Sequence, residues 1–400
     1  MAKIVINNTD SPKDSRPSIN SNFTELYTGQ EIVQATEKTT PVDADMVGLV
    51  DSAASNVLKK LSWTNIKATL KTWLTTDSTN ILRDSLFYQA LINGNFDVWQ
   101  RGTSFAVNGS GYVADRWKYW NNMNATYSQQ NGLGLNGSVN CIRLQRNSGQ
   151  GGTYLAIGQA LESQDSKKFR GQYLTLSFWA RCGTNYSPSS SNLLVEIKAD
   201  TTTDASAVNM SGTSYSTNVV LTTSWQKFTF TTTGAIASDR NQIAVVFSAD
   251  VSGTAGANDY FEITQIQLNA GDTALPFQAK SFEEELQKCL RFYEKTFEYG
   301  TTPANNVSAG QLQFTMSGAS YGRFTWFFKV PKRAVPSMTG YNPTAGTAGY
   351  INVWNNGSTY DVGGSNDAVN TSHYCTELND PTTKSSRAYC YWQATADAEF

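Results

Sequence analysis

Histidine is nearly missing from this chain of 400 residues: His373 stands alone. One imidazole supplies at most one imidazole base, and its NTSHYC setting holds no G-x-S-x-G turn, so a hydrolase triad is not expected and His373 reads as a solvated loop residue. Charge is also scarce. Charged residues make up 16% of the chain, against roughly a quarter in ordinary globular domains. Lys plus Arg number 31 and Asp plus Glu 33, for a net charge of −2. That balance creates no long-range field for phosphates, and no nucleic-acid partner is expected. The cysteines at 141, 182, 289, 375 and 390 form no C-x-x-C pair, which excludes zinc-ligand spacing. Their odd number fits a reducing cytoplasm and buried free thiols, with a Cys375–Cys390 bridge left open. No run approaches the roughly 18 apolar residues of a membrane span, and MAKIVINNTDSPKD lacks the apolar core of a secretory signal. A soluble chain without membrane insertion is expected. The glycine-rich stretches at Gly149 and Gly253 lack the lysine and following helix of a phosphate loop and read as turns. No cofactor is expected.

What the chain has in quantity is aromatic residues, at 12%, set among Asn, Ser, Thr and Gly, a composition suited to strands and turns. Its length allows two or three domains. In residues 1–85, Ile19, Phe23, Leu26 and Tyr27 stand at helical spacing behind Ser18. Two short strands are expected at 46–50 and 57–61, and Trp63, Ile66, Leu70 and Trp73 share a helix face behind Ser62. So little chain offers little core, so this part reads as a connector that oligomerises by packing against copies of itself. Residues 86–280 alternate in short runs between turn residues, the pattern of an antiparallel β-sandwich. Residues 281–299 begin with a Ser281/Glu284 capping box, and Phe282, Leu286, Cys289 and Tyr293 form the face to bury. Residues 300–400 alternate again and read as a smaller β domain. The chain is thus expected to be mainly β, with a small α+β connector, a central antiparallel β-sandwich, a short helix and a carboxy-terminal β-sandwich. No fixed-period repeat points to a solenoid.

Four segments in order, LINGNFDVWQRGTSF, GYVADRWKYW, SWQKFTFT and ITQIQLNAGDTALPFQ, resemble the jelly-roll module, similar to carbohydrate-binding modules, that recurs in bacteriophage tail fibres and other virion proteins. SFEEELQKCLRFYEK matches the short helix that follows this module, and INSNFTELY with TPVDADMVGLVDSAASNVLKKLSWTNIKATLKTWL looks like the amino-terminal connector of phage fibres. The resemblance covers about half the chain in its jelly roll. It implies a structural virion protein and not an enzyme: an elongated homotrimer, docked on other virion proteins through residues 1–85 and attaching to a host surface glycan or envelope protein. A collar, neck or head fibre without a receptor is the alternative, and a capsule depolymerase with an intersubunit site the third. In related jelly rolls acidic residues near the first and last strands often hold calcium. Asp97 could supply one ligand, but Thr264 and Gln265 stand where paired aspartates are common, so no metal is expected.

Carboxylate pairs that could cleave a glycan are Asp97 with Asp115 and Asp239 with Glu262, though acidic residues are ordinary on loops. For binding, an indole face stacks on a sugar ring while amides and carboxylates hydrogen-bond its hydroxyls. Trp179, Trp225 and Trp326 lie in alternating apolar runs and are expected in the core. Trp354 stands in YINVWNNGSTYD, read as a loop, and is expected to contact glycan together with Tyr350, Asn355, Asn356, Tyr360 and Asp361.

Overall fold

The computed structural model describes residues 39–51, 53, 57–76, 86–135, 137–303, 306, 308–316, 321–355, 358–379 and 388–400. The chain divides into two compact units, Met1–Ser78 and Thr79–Phe400. The expected first helix, near residues 18–27, lies outside the described residues.

In the first unit β1 (Met46–Asp51) pairs antiparallel with β2 (Val57–Ser62), placing Met46 opposite Ser62. Helix α1 (Trp63–Thr76) follows directly. The Asn65 N–H donates to Ser62 Oγ at 3.3 Å, so the serine caps the helix as its position suggested. Every residue of this unit whose burial is described is exposed or half-buried. Met46 is 58% exposed and Leu70 48%.

The second unit begins with β3 (Ser104–Tyr112), β4 (Lys118–Asn131), β5 (Asn140–Arg146), β6 (Leu155–Ala160), β7 (Leu174–Cys182), β8 (Asn192–Asp200), β9 (Thr213–Val220), β10 (Gln226–Thr231), β11 (Gln242–Ala249) and β12 (Tyr260–Ala270). They form one antiparallel sheet in the order β10-β7-β12-β5-β4-β6-β11-β8-β9, with β3 on β4. The long β4 closes it into two layers: residues 118–121 pair with β6 and residues 125–131 with β5. Inward alternation then brings Leu176, Phe178 and Ile263 against Val195, Val245 and Phe247, all fully buried. Phe178 meets Phe247 edge-on at 4.9 Å. This is the antiparallel sandwich that the alternating runs called for.

Helix α2 (Phe282–Leu290) opens with the expected capping box, Ser281 and Glu284 satisfying each other's backbone N–H. Its buried face agrees with expectation in part. Cys289 and Tyr293 are buried, Tyr293 from a strand beyond the helix, and Leu286 is half-buried; Phe282 is exposed, and Glu285 and Leu290 turn inward instead. The reason is polar: Glu285 Oε2 accepts the buried Asn93 N–H at 2.9 Å, and Lys280 stands 3.7 Å from its other oxygen.

The remaining strands are β13 (Tyr293–Lys295), β14 (Leu312–Thr315), β15 (Tyr321–Phe327), β16 (Ser337–Tyr341), β17 (Tyr350–Asn355), β18 (Ser358–Val369), β19 (His373–Asn379) and β20 (Tyr389–Asp397). They form a second antiparallel sheet, β13-β20-β17-β18-β19-β15, with β14 and β16 also on β20. It folds over at β18 around Trp326, Tyr374 and Trp392, the last two stacked at 5.4 Å. His373 starts β19 half-buried, with Asn370 and Ser372 on its ring, so the loop expectation does not hold. All five cysteines are buried free thiols, and Cys375 and Cys390 are not bridged. No helix among the described residues is long and apolar enough to cross a membrane.

Two arginines of the sandwich clamp residues 397–400. The Arg101 guanidinium reaches Asp115 at 3.2 Å and Asp397 at 3.1 Å, and it lies 3.7 Å over the Tyr293 ring. Arg116 pairs with Glu399, donates to the Ala160 carbonyl at 2.7 Å and covers the Phe292 ring at 3.5 Å. Burial pushes the Asp115 carboxyl up to about 6 despite the pull of Arg101. The folded state therefore holds this proton more tightly than the unfolded chain, so stability increases as pH falls from about 6 toward the ordinary carboxylate range. We predict that the stability of the parent relative to Asp115→Asn rises by about 1 kcal/mol between pH 7 and pH 5, read by denaturant titration. A constant difference would show that Asp115 stays ionised beside Arg101 throughout.

Candidate functional site

The layer β10-β7-β12-β5 turns one face to the core and the other outward. Since Phe178 and Ala180 are fully buried, Trp179 between them must point outward, and it is half-buried. Trp225, just before β10, is half-buried too. The core expectation thus fails for Trp179 and Trp225 and holds for Trp326.

Pairing register arranges this outward face in rows. Lys227 stands opposite Trp179, and Trp179 opposite Thr264. In the next row Arg181 and Arg143 flank Glu262 from either side. Both oxygens of that fully buried carboxylate are taken, by Arg143 Nη2 at 2.6 Å and Arg181 Nε at 2.5 Å. The guanidiniums also lie against rings, Arg143 at 4.0 Å from Tyr260 and Arg181 at 4.7 Å from Trp225. Such stacking keeps both arginines flat on the sheet.

A β-bulge between Thr264 and Gln267 raises a rim beside Trp179. At the bulge Gln265 adopts φ 50°, a left-handed conformation uncommon outside glycine. Gln267 Nε2 donates to the carbonyls of Leu275 and Pro276, each at 3.1 Å, tying the 275–278 segment across the face. Between that strap and Gly134, Leu135 and Gly137 lies a cleft of about 480 Å³. Trp179, Lys227, Gln265, Leu135, Pro276 and Phe277 line it. Sequence reasoning missed this site. Its signal was the period of two in QYLTLSFWA, which shows that Trp179 opposes Phe178 but not which of them faces a second layer.

The acidic residues singled out as possible dyads have separate partners. Asp97 accepts from Asn95 at 3.1 Å and Asn140 at 2.8 Å, while Asp115 sits in the arginine clamp. Glu262 is held by its two arginines, and Asp239 lies 3.3 Å from Arg240. Near Asp97, Thr264 Oγ1 meets the Asn140 carbonyl at 2.7 Å and Ser138 Oγ at 2.9 Å. Amides and hydroxyls thus saturate one another there. Among the described residues no group of three or more His, Cys, Asp or Glu side chains could hold a metal.

At the second sheet, the segment read as a loop is a hairpin. Its strands pair from Tyr350 opposite Gly363 to Asn355 opposite Ser358, so strand residues occupy both sides. Trp354 is 39% exposed and lies opposite Tyr389, their rings 5.9 Å apart. Tyr350 and Asp361 share the Trp354 face; Asn352, opposite Asp361, is buried beneath it. Asp361 accepts from the side-chain amides of Asn342 and Asn352. Tyr360 is exposed but stands opposite the core residue Val353, so it projects to the other side from Trp354. Asn355 ends β17 half-buried, and Asn356 lies outside the described residues. Tyr389 and Tyr391 complete the Trp354 face and went unnoticed in the sequence, although AYCYWQAT alternates them with the core residues Cys390 and Trp392. Their partners are remote in sequence.

Exposure separates surface from core here. Trp354→Ala and Tyr389→Ala should each change unfolding free energy by less than about 1 kcal/mol, whereas Trp392→Ala, emptying a fully buried site, should cost about 3–5 kcal/mol. Thermal melts of the three variants check this ranking.

No protein-family model and no curated protein sequence matches the chain significantly. Among solved structures, the chain is similar to the enzymatically active domain of a bacteriophage CBA120 tailspike protein, at 12% identity and TM-score 0.29 over 46% of this chain and 22% of that one. A CBM4 carbohydrate-binding module aligns at 20% identity and TM-score 0.29, over 44% of this chain and 97% of the module. The CBM22-2 xylan-binding domain from Paenibacillus barcinonensis aligns at 14% identity and TM-score 0.26, over 46% and 99%. Overlaps this shallow carry no weight as to what the chain binds.

Proposed function

We propose that this chain is a structural fibre subunit of a bacteriophage particle that attaches to a host surface through weak, repeated glycan contacts. The observation that carries the reading is the Trp179 cleft. A half-buried indole floors it, a side-chain amide and an amine stand beside that indole, and an aromatic strap walls it. An apolar ring face with a few polar groups at its edge is what a pyranose ring needs. The Trp354 and Tyr389 surface is a second, flatter contact area on the same compact unit. The fibre assignment rests on the resemblance of the jelly-roll and connector segments.

Self-association through residues 1–85 belongs to the same proposal, with a homotrimer as the assembly and other virion proteins as the docking partners. The hairpin and α1 leave Met46, Val47 and Leu70 exposed, and apolar side chains left in water gain by packing on copies of the same chain. Trimerisation multiplies a weak site, since tethered contacts gain about 10²–10⁴ in avidity.

Two measurements test this. Light scattering should give a trimer for the full chain and a lower mass after deletion of residues 1–78; a full-length monomer would refute self-assembly. Trp179→Ala should melt like the parent yet weaken binding to host cells by about thirtyfold or more, as loss of a stacking aromatic at an interface does. Undiminished binding by a folded Trp179→Ala protein would remove the cleft from the account.

A further inference from the structure

We infer that the Trp179 cleft is selective for acidic saccharides, with the sugar ring on the indole and its anionic group between Lys227 and Arg181. This rests on the glycan reading of the cleft and specifies its ligand class.

The outward rows around the indole hold Lys227, Arg181 and Arg143 against one carboxylate, Glu262. Glu262 is fully buried and spends both oxygens on the arginines, so it offers nothing to a ligand. Arg181 uses only its Nε in that pair, and its two terminal amino groups make no hydrogen bond among the described residues. Lys227 is exposed, lines the cleft and is likewise without an ion pair among the described residues. Among the described residues it is the only charged one lining the cleft, and Arg181 stands in the adjoining row, just outside the cleft.

Register sets the spacing. Lys227 lies directly across from Trp179, and Arg181 lies two residues along β7 on the same face. The backbone positions of diagonal neighbours of this kind are about 7–8 Å apart, which puts both side chains within reach of one carboxylate, sulfate or phosphate on a sugar, with a charge-assisted bond to each. Stacking of Arg181 on Trp225 holds its plane against the sheet, so little order has to be gained on binding. A neutral sugar would gain the stacking contact and leave both cations unused. The overall charge of −2 makes this local excess of positive charge a feature of the face and not of the chain.

The experiment is an array of neutral and acidic bacterial polysaccharides probed with the full chain, Trp179→Ala, Lys227→Gln and Arg181→Gln, each first checked by melting. The parent should be retained on acidic polysaccharides above neutral ones, and the retention should fall in about 0.5 M salt, where exposed charges are screened. Lys227→Gln should bind acidic polysaccharides about tenfold more weakly without losing what neutral binding there is, and Trp179→Ala should lose both. Lys227, exposed and unpaired, keeps the test valid if Arg181→Gln unfolds through the orphaned Glu262. Equal retention on neutral and acidic polysaccharides, or salt-insensitive binding unaffected by Lys227→Gln, overturns the acidic preference while leaving the cleft in place. Retention of the parent on no polysaccharide overturns the glycan reading and this inference together.

Discussion

Two arginines hold the second unit together. Arg116 is buried and Arg101 largely covered, and each carries its charge among carboxylates from the far end of the chain, Asp397 and Glu399. Such pairs give little net stability over an apolar core, but removing one partner strands the other charge and costs about 3–5 kcal/mol. They also fasten the chain end. Residues 397–400 meet the sandwich at both guanidiniums, and Arg333 holds the same segment by donating to the carbonyls of Ala398 and Glu399. Because β20 is the strand that organises the second sheet, anchoring its end anchors that sheet on the sandwich. The Trp179 cleft and the Trp354 surface are therefore carried by one compact body, which limits the conformational cost of engaging both.

The sandwich face shows how a sheet can present aromatic groups without destabilising itself. Large outward side chains would be a liability if they were loose and contiguous. Here Trp225 and Tyr260 are each covered by an arginine, and the arginines are fixed by the one buried Glu262. Trp179 is covered partly by the strap that Gln267 ties down. Backbone irregularity is spent at the rim, where the bulge holds Gln265 in its left-handed conformation. Rigid strands thus place the recognition groups, and short loops shape their surroundings.

Local and periodic features were readable from the sequence. The capping box at Ser281, the Ser62 cap, the hairpin of β1 and β2 and the alternating runs of the sandwich all follow from residues within a few positions of one another. What escaped depends on long-range pairing. Alternation in β7 separates Trp179 from Phe178, but only the position of the other layer decides which is buried. The hairpin at Trp354 looked like a loop because Asn and Gly crowd its turn, and its exposed partner Tyr389 comes from a strand over thirty residues later. The α2 stripe was legible at Cys289 and Tyr293 but not at Glu285, which turns inward to accept from Asn93, far back in the chain. Asp97 is likewise tied to the remote Asn140, and Thr264 to the Asn140 carbonyl and Ser138, contacts that long-range pairing sets.

On the proposed function the Trp179 face meets the host surface. Hydroxyl-radical footprinting of the full chain, free and bound to host surface polysaccharide, addresses it residue by residue through mass spectrometry. The account predicts that oxidation of Trp179 falls strongly on binding, while oxidation of exposed aromatic residues away from both aromatic surfaces, such as Phe327, is unchanged. Oxidation of Trp179 at the same rate in the free and bound states would contradict it.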